Sequence, residues 1–166
     1  MCLNSTPGSR VHLPKRLLII AHAPSRNTER LRDAVVAGAR ASEIEGVEAQ
    51  ALSPFLTTPE HVRAAQAVIL GTTENLGYMS GALKDFFDRC YYPLLDRTEG
   101  LPYALYIRAG HDGTGTRRGV ETIVTGLRWR AVREPLICRG DWREDFVDEC
   151  RELGMLVAAG LDAGVF

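Results

Sequence analysis

The chain has 166 residues, a formal net charge of −1 and an isoelectric point near 6.4. This length allows one ordinary domain that buries its core without disulfides or metal, and the near-neutral charge argues against binding to nucleic acid or to an anionic membrane surface. We therefore expect a single soluble domain whose partner is a small molecule or a protein.

The first 15 residues are rich in Ser, Pro and Gly, and we expect them to form a flexible lead-in to one domain over residues 16–166. They lack the charged and apolar regions of a signal peptide, and no apolar run in the chain approaches about 20 residues. A cytoplasmic protein without a membrane span is expected. The cysteines and histidines show no spacing typical of a metal site, so we expect no metal and reduced thiols.

The first half of the chain predicts two strands, each followed by a helix. Residues 16–23 form a dense apolar run, typical of a strand buried on both faces. After a short turn, helical spacing continues from Asn27 or Thr28 to about Ser42. Residues 46–52 predict a weaker second strand, and residues 58–65 a short helix opened by Pro59.

A third strand over residues 67–70 is ended by Gly71, and residues 72–79 are expected to be a loop. Ser80 is placed to cap the next helix. The buried stripe of that helix is expected to be Leu83, Phe86, Phe87 and Cys90.

The last third of the chain continues the alternation. Residues 103–109 predict a fourth strand that GHDGTG ends, and residues 131–138 a fifth. A helix between them buries Val120, Ile123, Val124 and Leu127. Asp141 is expected to begin the final helix, with Glu144 three residues later as in a capping box. Five strands alternating with helices indicate a doubly wound α/β domain.

In a sheet of order 2-1-3-4-5, three loops at the carboxyl ends of strands line one crevice: residues 22–28, 72–79 and 110–116. The first offers Ser25, Asn27, Thr28 and free backbone amides where a helix begins, an arrangement suited to a phosphate. Helix capping alone is the alternative. The second offers polar groups and Tyr78 for a planar heterocycle, or is an ordinary surface loop.

Two segments resemble known proteins. RLLIIAHAPSRNTERL is similar to the phosphate loop of flavodoxin-like proteins, through Asn27, Thr28 and Glu29. GTTENLGYMSGALKDFFDR resembles the loop and helix of NAD(P)H-dependent FMN reductases and the related flavodoxin-like quinone reductases. The resemblance implies a flavodoxin-like, doubly wound, five-stranded parallel sheet of order 2-1-3-4-5, with helices on both faces.

The resemblance also implies an FMN site. It places the phosphate against Ser25, Asn27 and Thr28, with Arg26 as an added contact. It places the ring against the second loop and the third loop: Thr72, Thr73, Glu74, Asn75, Leu76, Gly77, Tyr78, Gly110, His111 and Gly113. His111 is the one side chain considered for catalysis. Pro24, Arg26 and Glu74 depart from the family pattern.

The implied activity is that of an FMN-dependent reductase, which takes electrons from NADPH or NADH and passes them to a quinone, a free flavin or a similar small acceptor. Two alternatives stay open. One is a flavodoxin-type electron carrier without turnover of its own, and the other is a flavodoxin-like binding module that has lost flavin. The resemblance also admits a homodimer.

Overall fold

Strands and helices alternate along residues 12–166, which are the residues that the computed structural model describes. The strands are β1 (Lys15–Ala21), β2 (Val47–Leu52), β3 (Ala67–Asn75), β4 (Tyr78–Met79), β5 (Pro102–Ala109), β6 (Arg130–Ala131) and β7 (Leu136–Arg139). The helices are α1 (Arg26–Ala39), α2 (Pro59–Arg63), α3 (Gly81–Leu94), α4 (Thr114–Gly126) and α5 (Asp145–Asp162), with a 3-10 turn at Pro54–Leu56. Residues 1–11 of the expected lead-in lie outside the described range.

The sheet runs in the order β2-β1-β3-β5-β6, and β7 also pairs with β5. All of these pairs are parallel, which confirms the predicted 2-1-3-4-5 arrangement. The prediction of one continuous fifth strand over residues 131–138 is wrong. The chain forms two short strands around Pro135, a residue that has no backbone N–H to donate to a ladder.

Two hydrophobic clusters lie on opposite faces of the sheet, as a doubly wound fold requires. Leu17 and Ile19 of β1 pack with α1 and α5 on one face. Leu18 and Ile20 pack with α2, α3 and α4 on the other. The predicted apolar stripe of α3 is buried, from Leu83 to Cys90. Within residues 12–166, no helix combines the length and apolarity needed to cross a bilayer.

Helix α1 crosses α5 so closely that only glycine fits at the contact. A Cβ added to Gly38 would lie 1.9 Å from the carbonyl oxygen of Arg151. A Cβ added to Gly154 would lie 2.0 Å from the carbonyl oxygen of Val35. The two glycines face opposite backbones, so they fix the position of α1 against the rest of the domain.

Two helix starts differ from the prediction. Ser25, one residue before α1, is its N-cap, in place of Asn27 or Thr28, and the helix ends at Ala39 instead of Ser42. The final helix begins at Asp145, not at Asp141, and the expected capping box is absent from it. The carboxylate of Glu144 is bound by Arg30 of α1 and is not available to cap its own helix. The Ser80 cap of α3 is confirmed.

Candidate functional site

The first loop places a helix N-terminus at the carboxyl end of β1. The Ser25 hydroxyl accepts from the backbone N–H of Thr28 at 3.3 Å, and the Thr28 hydroxyl accepts from the backbone N–H of Ser25 at 2.9 Å. The next two amides, of Arg26 and Asn27, have no acceptor within the described residues. Both residues are exposed. Free amides at the positive end of a helix are suited to an anion.

Thr28 itself is buried at 6% exposure, and its hydroxyl donates to the Ser25 carbonyl at 2.9 Å. The predicted phosphate ligand therefore holds the shape of the loop from inside. Ser25, Arg26 and Asn27 are the members of the predicted set that face solvent.

His22 joins the first loop to β3, a role that no motif in the sequence indicated. Its backbone N–H donates to the carbonyl of Gly71 at 3.0 Å. Its Nδ1 atom is buried without a hydrogen-bond partner, and burial lowers the pKa of the imidazole. The side chain is therefore neutral near pH 7. The only sequence signal was its position directly after the first strand.

The second predicted loop is largely a β-hairpin. Strand β3 continues past Gly71 to Asn75, and β4 returns antiparallel to it with Asn75 opposite Tyr78. Leu76 and Gly77 form the two-residue turn with φ of 54° and 76°, as in hairpin turns that need positive φ at both positions. The Thr72 hydroxyl accepts from the backbone N–H of Ser80 at 3.0 Å and so joins the hairpin to α3.

The hairpin lies flat on α4 over two glycines one turn apart. A Cβ added to Gly115 would lie 2.1 Å from the carbonyl oxygen of Gly77. A Cβ added to Gly119 would lie 2.4 Å from the ring of Tyr78. One face of Tyr78 is thus packed on helix backbone, and the side chain remains 39% exposed. Leu76, at the tip, is fully exposed.

Glu74 joins the hairpin to the third loop. One carboxylate oxygen accepts from the backbone N–H of His111 at 2.9 Å, and the other from the backbone N–H of Gly113 at 2.8 Å. Gly113 has a φ of 73°, is the N-cap residue of α4 and packs against Ile137. The next amide, of Thr114, donates to Asp112 Oδ1 at 3.0 Å. The turn that leads into α4 is therefore held by two carboxylates, those of Glu74 and Asp112.

The three loops follow neighbouring strands, because β1, β3 and β5 are adjacent in the sheet. The backbone N–H of His22 in the first loop donates to Gly71 of β3. The carboxylate of Glu74, also on β3, accepts from two backbone N–H groups of the third loop. The first and third loops are thus both joined to the middle strand. The other predicted site residues differ in their exposure to solvent. Thr73 and Glu74 are half-buried, and the exposed ones are Asn75, Leu76, Gly77, Tyr78, Gly110 and His111.

A cluster of arginines and aromatic rings joins β5 and α1 to the segment before α5 and its first turn. The guanidinium of Arg108, at the end of β5, lies 5.4 Å from the Phe146 ring centre and 6.0 Å from that of Trp142. Arg30 lies 5.5 Å from the centre of the Trp142 ring and donates to Glu144 at 2.9 Å. These contacts attach the segment before α5 to α1. No motif in the sequence indicated this cluster.

The fold is similar to those of solved flavodoxins and related proteins. A flavodoxin from the domain Archaea superposes with a TM-score of 0.75 at 16% identity, covering 88% of this chain and 98% of its own. The fold is flavodoxin-like. The flavodoxin, WrbA-like protein from Agrobacterium tumefaciens superposes with a TM-score of 0.68 at 14% identity, covering 90% of this chain and 98% of its own.

The sequence is also similar to that of a flavodoxin. A flavodoxin from Aquifex aeolicus is 28% identical over 112 residues, which are 68% of this chain and 60% of that relative. The match thus spans less than two thirds of the flavodoxin. No protein-family model matches the sequence.

Proposed function

We propose that the protein binds FMN at the three loops and acts as an NAD(P)H-dependent reductase of a small acceptor such as a quinone or a free flavin. The observation that carries the proposal is the open N-terminus of α1, where the amides of Arg26 and Asn27 point out at the carboxyl end of β1. This is the switch point of the sheet, between β1 and β3, where doubly wound folds bind ligands. When bound, FMN supplies the hydride and electron transfer.

The first loop fits the phosphate of FMN. Two free amides, the Ser25 hydroxyl and the exposed guanidinium of Arg26 are all donors to a phosphate dianion. Pro24 lacks an amide, which leaves the loop one donor fewer, and Arg26 compensates with a charged donor. The chain's role here is to bind and orient the ligand by its charged end.

The hairpin and the third loop fit the planar ring of FMN less completely than the first loop fits its phosphate. The hairpin offers a rigid edge of exposed polar backbone around Asn75 and Gly77, backed by α4. Glu74, however, already binds the amides of His111 and Gly113. Donors to the ring therefore have to come from other groups of the loops, such as the backbone of residues 75–77 and 110.

A flavodoxin-type carrier is the second candidate, and the flavodoxin from Aquifex aeolicus supports it. A carrier would share the FMN site and lack turnover with a nicotinamide. The balanced net charge of −1 favours the reductase, because a carrier uses a strongly acidic face to dock its redox partners. A module without flavin is the third candidate, and the Glu74 contacts support it.

We also propose that NADPH or NADH is the electron donor and that the protein forms a homodimer. Arg117 and Arg118 lie near the third loop and are candidates for the 2′-phosphate of NADPH. Arg117 donates to Glu121 at 2.8 Å and to Glu134 at 3.4 Å, so that Arg118 is the freer of the two. A homodimer that covers the exposed hairpin tip is compatible with the fully exposed Leu76.

A titration that follows the fluorescence of FMN tests whether the protein binds FMN. We expect quenching on binding, and a protein that leaves FMN fluorescence unchanged would refute both flavin functions. Oxidation of NADPH or NADH with a quinone acceptor then separates the enzyme from the carrier. Turnover supports the reductase, whereas binding without turnover for either nicotinamide favours the carrier.

Thr28→Val tests the phosphate assignment. The variant loses the hydroxyl that accepts from Ser25 and holds the loop, so we expect FMN binding to weaken about fivefold, equivalent to about 1 kcal/mol for one hydrogen bond. Thr122→Val is the matched control, because that hydroxyl donates to a helix carbonyl on the exposed side of α4. Equal affinity in the two variants would contradict the assignment.

A further inference from the structure

A pocket of about 360 Å³ lies at the carboxyl ends of β1 and β2, and β2 is on the opposite side of β1 from β3. This pocket, the β2 pocket, is lined by residues 21–24, by Arg32 of α1, and by residues 51–53 with Phe55. The free amides of the first loop, at Arg26 and Asn27, do not line it, and neither do the second and third loops. Its volume is in the range of small-molecule sites. It is therefore a cavity separate from the crevice of the three loops.

The β2 pocket has an apolar wall that includes Leu52 and the aromatic ring of Phe55. Phe55 is 59% exposed, although the turn that carries it is firmly held. Arg89 of α3 donates to the carbonyl oxygens of Pro54 at 2.7 Å and of Thr57 at 2.9 Å, and Thr57 is fully buried. The ring is thus presented by a fixed turn, and a ligand in the pocket would cover apolar area that is now in contact with water.

The polar groups of the β2 pocket offer donors that have no acceptor within residues 12–166. Arg32 contacts Asp33 Oδ1 through Nε at 3.0 Å and through Nη2 at 2.9 Å, which leaves Nη1 without an acceptor. The Ser53 hydroxyl accepts from the backbone N–H of Phe55 at 3.3 Å, and its own hydrogen has no acceptor. His22 adds an imidazole whose Nδ1 has no partner. No carboxylate is among the described lining residues, and the ion pair with Asp33 is weak because that side chain is 68% exposed.

We propose that the β2 pocket binds a small organic acid with an apolar body, such as an aromatic carboxylate. The carboxylate accepts from Arg32 Nη1 and from the Ser53 hydroxyl, which line the same cavity, and hydrogen bonds to a charged acceptor are the stronger kind. The ring of the ligand packs against Phe55 and Leu52. This site goes beyond the proposed reductase and needs no flavin.

Benzoate, titrated into the ¹⁵N-labelled full chain, tests the site directly. In the wild type we expect saturable shifts of the backbone amides of Ala51, Ser53 and Phe55, with a millimolar dissociation constant, as for a ligand of fragment size. Benzamide has the same ring without the charge. We expect it to bind about tenfold more weakly, because it lacks the charged acceptor for Arg32.

Two variants, each with a matched control, identify the groups that bind benzoate. Arg32→Gln should weaken binding about tenfold. Its control, Arg97→Gln, removes an exposed arginine between α3 and β5, at the opposite edge of the sheet, and should leave the affinity unchanged. Phe55→Ala should also weaken binding, whereas Leu56→Ala should not, because Leu56 is exposed beside Phe55 but does not line the pocket. The spectra themselves report whether each variant is folded, and the two variants test different walls of the pocket.

The inference is overturned if benzoate causes no saturable shift, or if the shifts are confined to Arg26 and Asn27, which would place the anion at the first loop. Equal affinities of Arg32→Gln and Arg97→Gln, or of benzoate and benzamide, would also overturn it. No flavin is added in these titrations, so a protein that fails to bind FMN refutes the proposed function and leaves this test unaffected.

Discussion

Replacing Gly154 by Ala should destabilise the domain, although alanine is the better helix former. The new Cβ would lie 2.0 Å from the carbonyl oxygen of Val35, where real contacts begin near 3.0 Å. The obstacle is the backbone of α1, which cannot turn aside as a flexible side chain can. Helices α1 and α5 therefore have to move apart by about 1 Å, which loosens the cluster that they share over Leu31 and Val157.

The magnitude follows from two opposing effects. Overpacking against backbone costs about 3 kcal/mol, at the upper end of the usual range. The gain in helix propensity from Gly to Ala returns about 1 kcal/mol. The net loss of about 2 kcal/mol corresponds to a fall in melting temperature of about 4–8 °C for a domain of this size.

Thermal unfolding followed by circular dichroism measures this effect. Gly81→Ala is the matched control, because an added Cβ there meets nothing within 4 Å. The control should melt at or above the wild-type temperature. A Gly154→Ala variant that is as stable as Gly81→Ala would refute the close-crossing argument, since the same substitution would then have no steric cost.

Two other substitutions test the packing of the hairpin on α4 and the contact between α1 and the segment before α5. Gly119→Val places a side chain where the ring of Tyr78 lies, so the hairpin has to move away from α4. The affinity for FMN, measured by fluorescence, should therefore fall. Unchanged affinity would show that the hairpin is not part of the site for the FMN ring. Glu144→Gln tests the contact with Arg30, whose hydrogen bond, together with that from Trp142, lowers the pKa of Glu144 from 4.5 to about 2. Because the folded pKa is depressed, the stabilisation is complete above pH 4.5 and disappears toward pH 2. The melting temperatures of wild type and Glu144→Gln should therefore differ at pH 7 and converge near pH 2, and a constant difference would contradict this assignment.

The elements that the sequence predicted well are those whose burial has a regular period. The unbroken apolar run of β1 and the helical stripe of α3 each repeat with the spacing of one secondary structure. The cap at Ser80 could be predicted because its hydroxyl binds a backbone N–H only three residues further along the chain, that of Leu83. The alternation of strands and helices predicted the doubly wound class, and the resemblance to flavodoxin-like proteins implied the strand order that the sheet shows.

The predictions that failed depended on contacts between distant residues. The hairpin was missed because its turn places Leu76 at positive φ, where Asn or Gly is the usual signal. Glu144 had the local pattern of a capping residue, but Arg30, far away in the sequence, binds its carboxylate. Glu74 was noted as a departure from the family pattern, yet nothing local showed that it binds the third loop.

The flat contact between the hairpin and α4 has a consequence for the rate and entropy of binding. Gly115 and Gly119 let the hairpin rest on helix backbone, so that one side of the proposed site is in place before any ligand arrives. A ligand then has to order little of the protein there, and the entropic cost of association is confined to the first loop and to the ligand itself. Such a site is expected to bind in a single kinetic phase, without a slow step of loop closure.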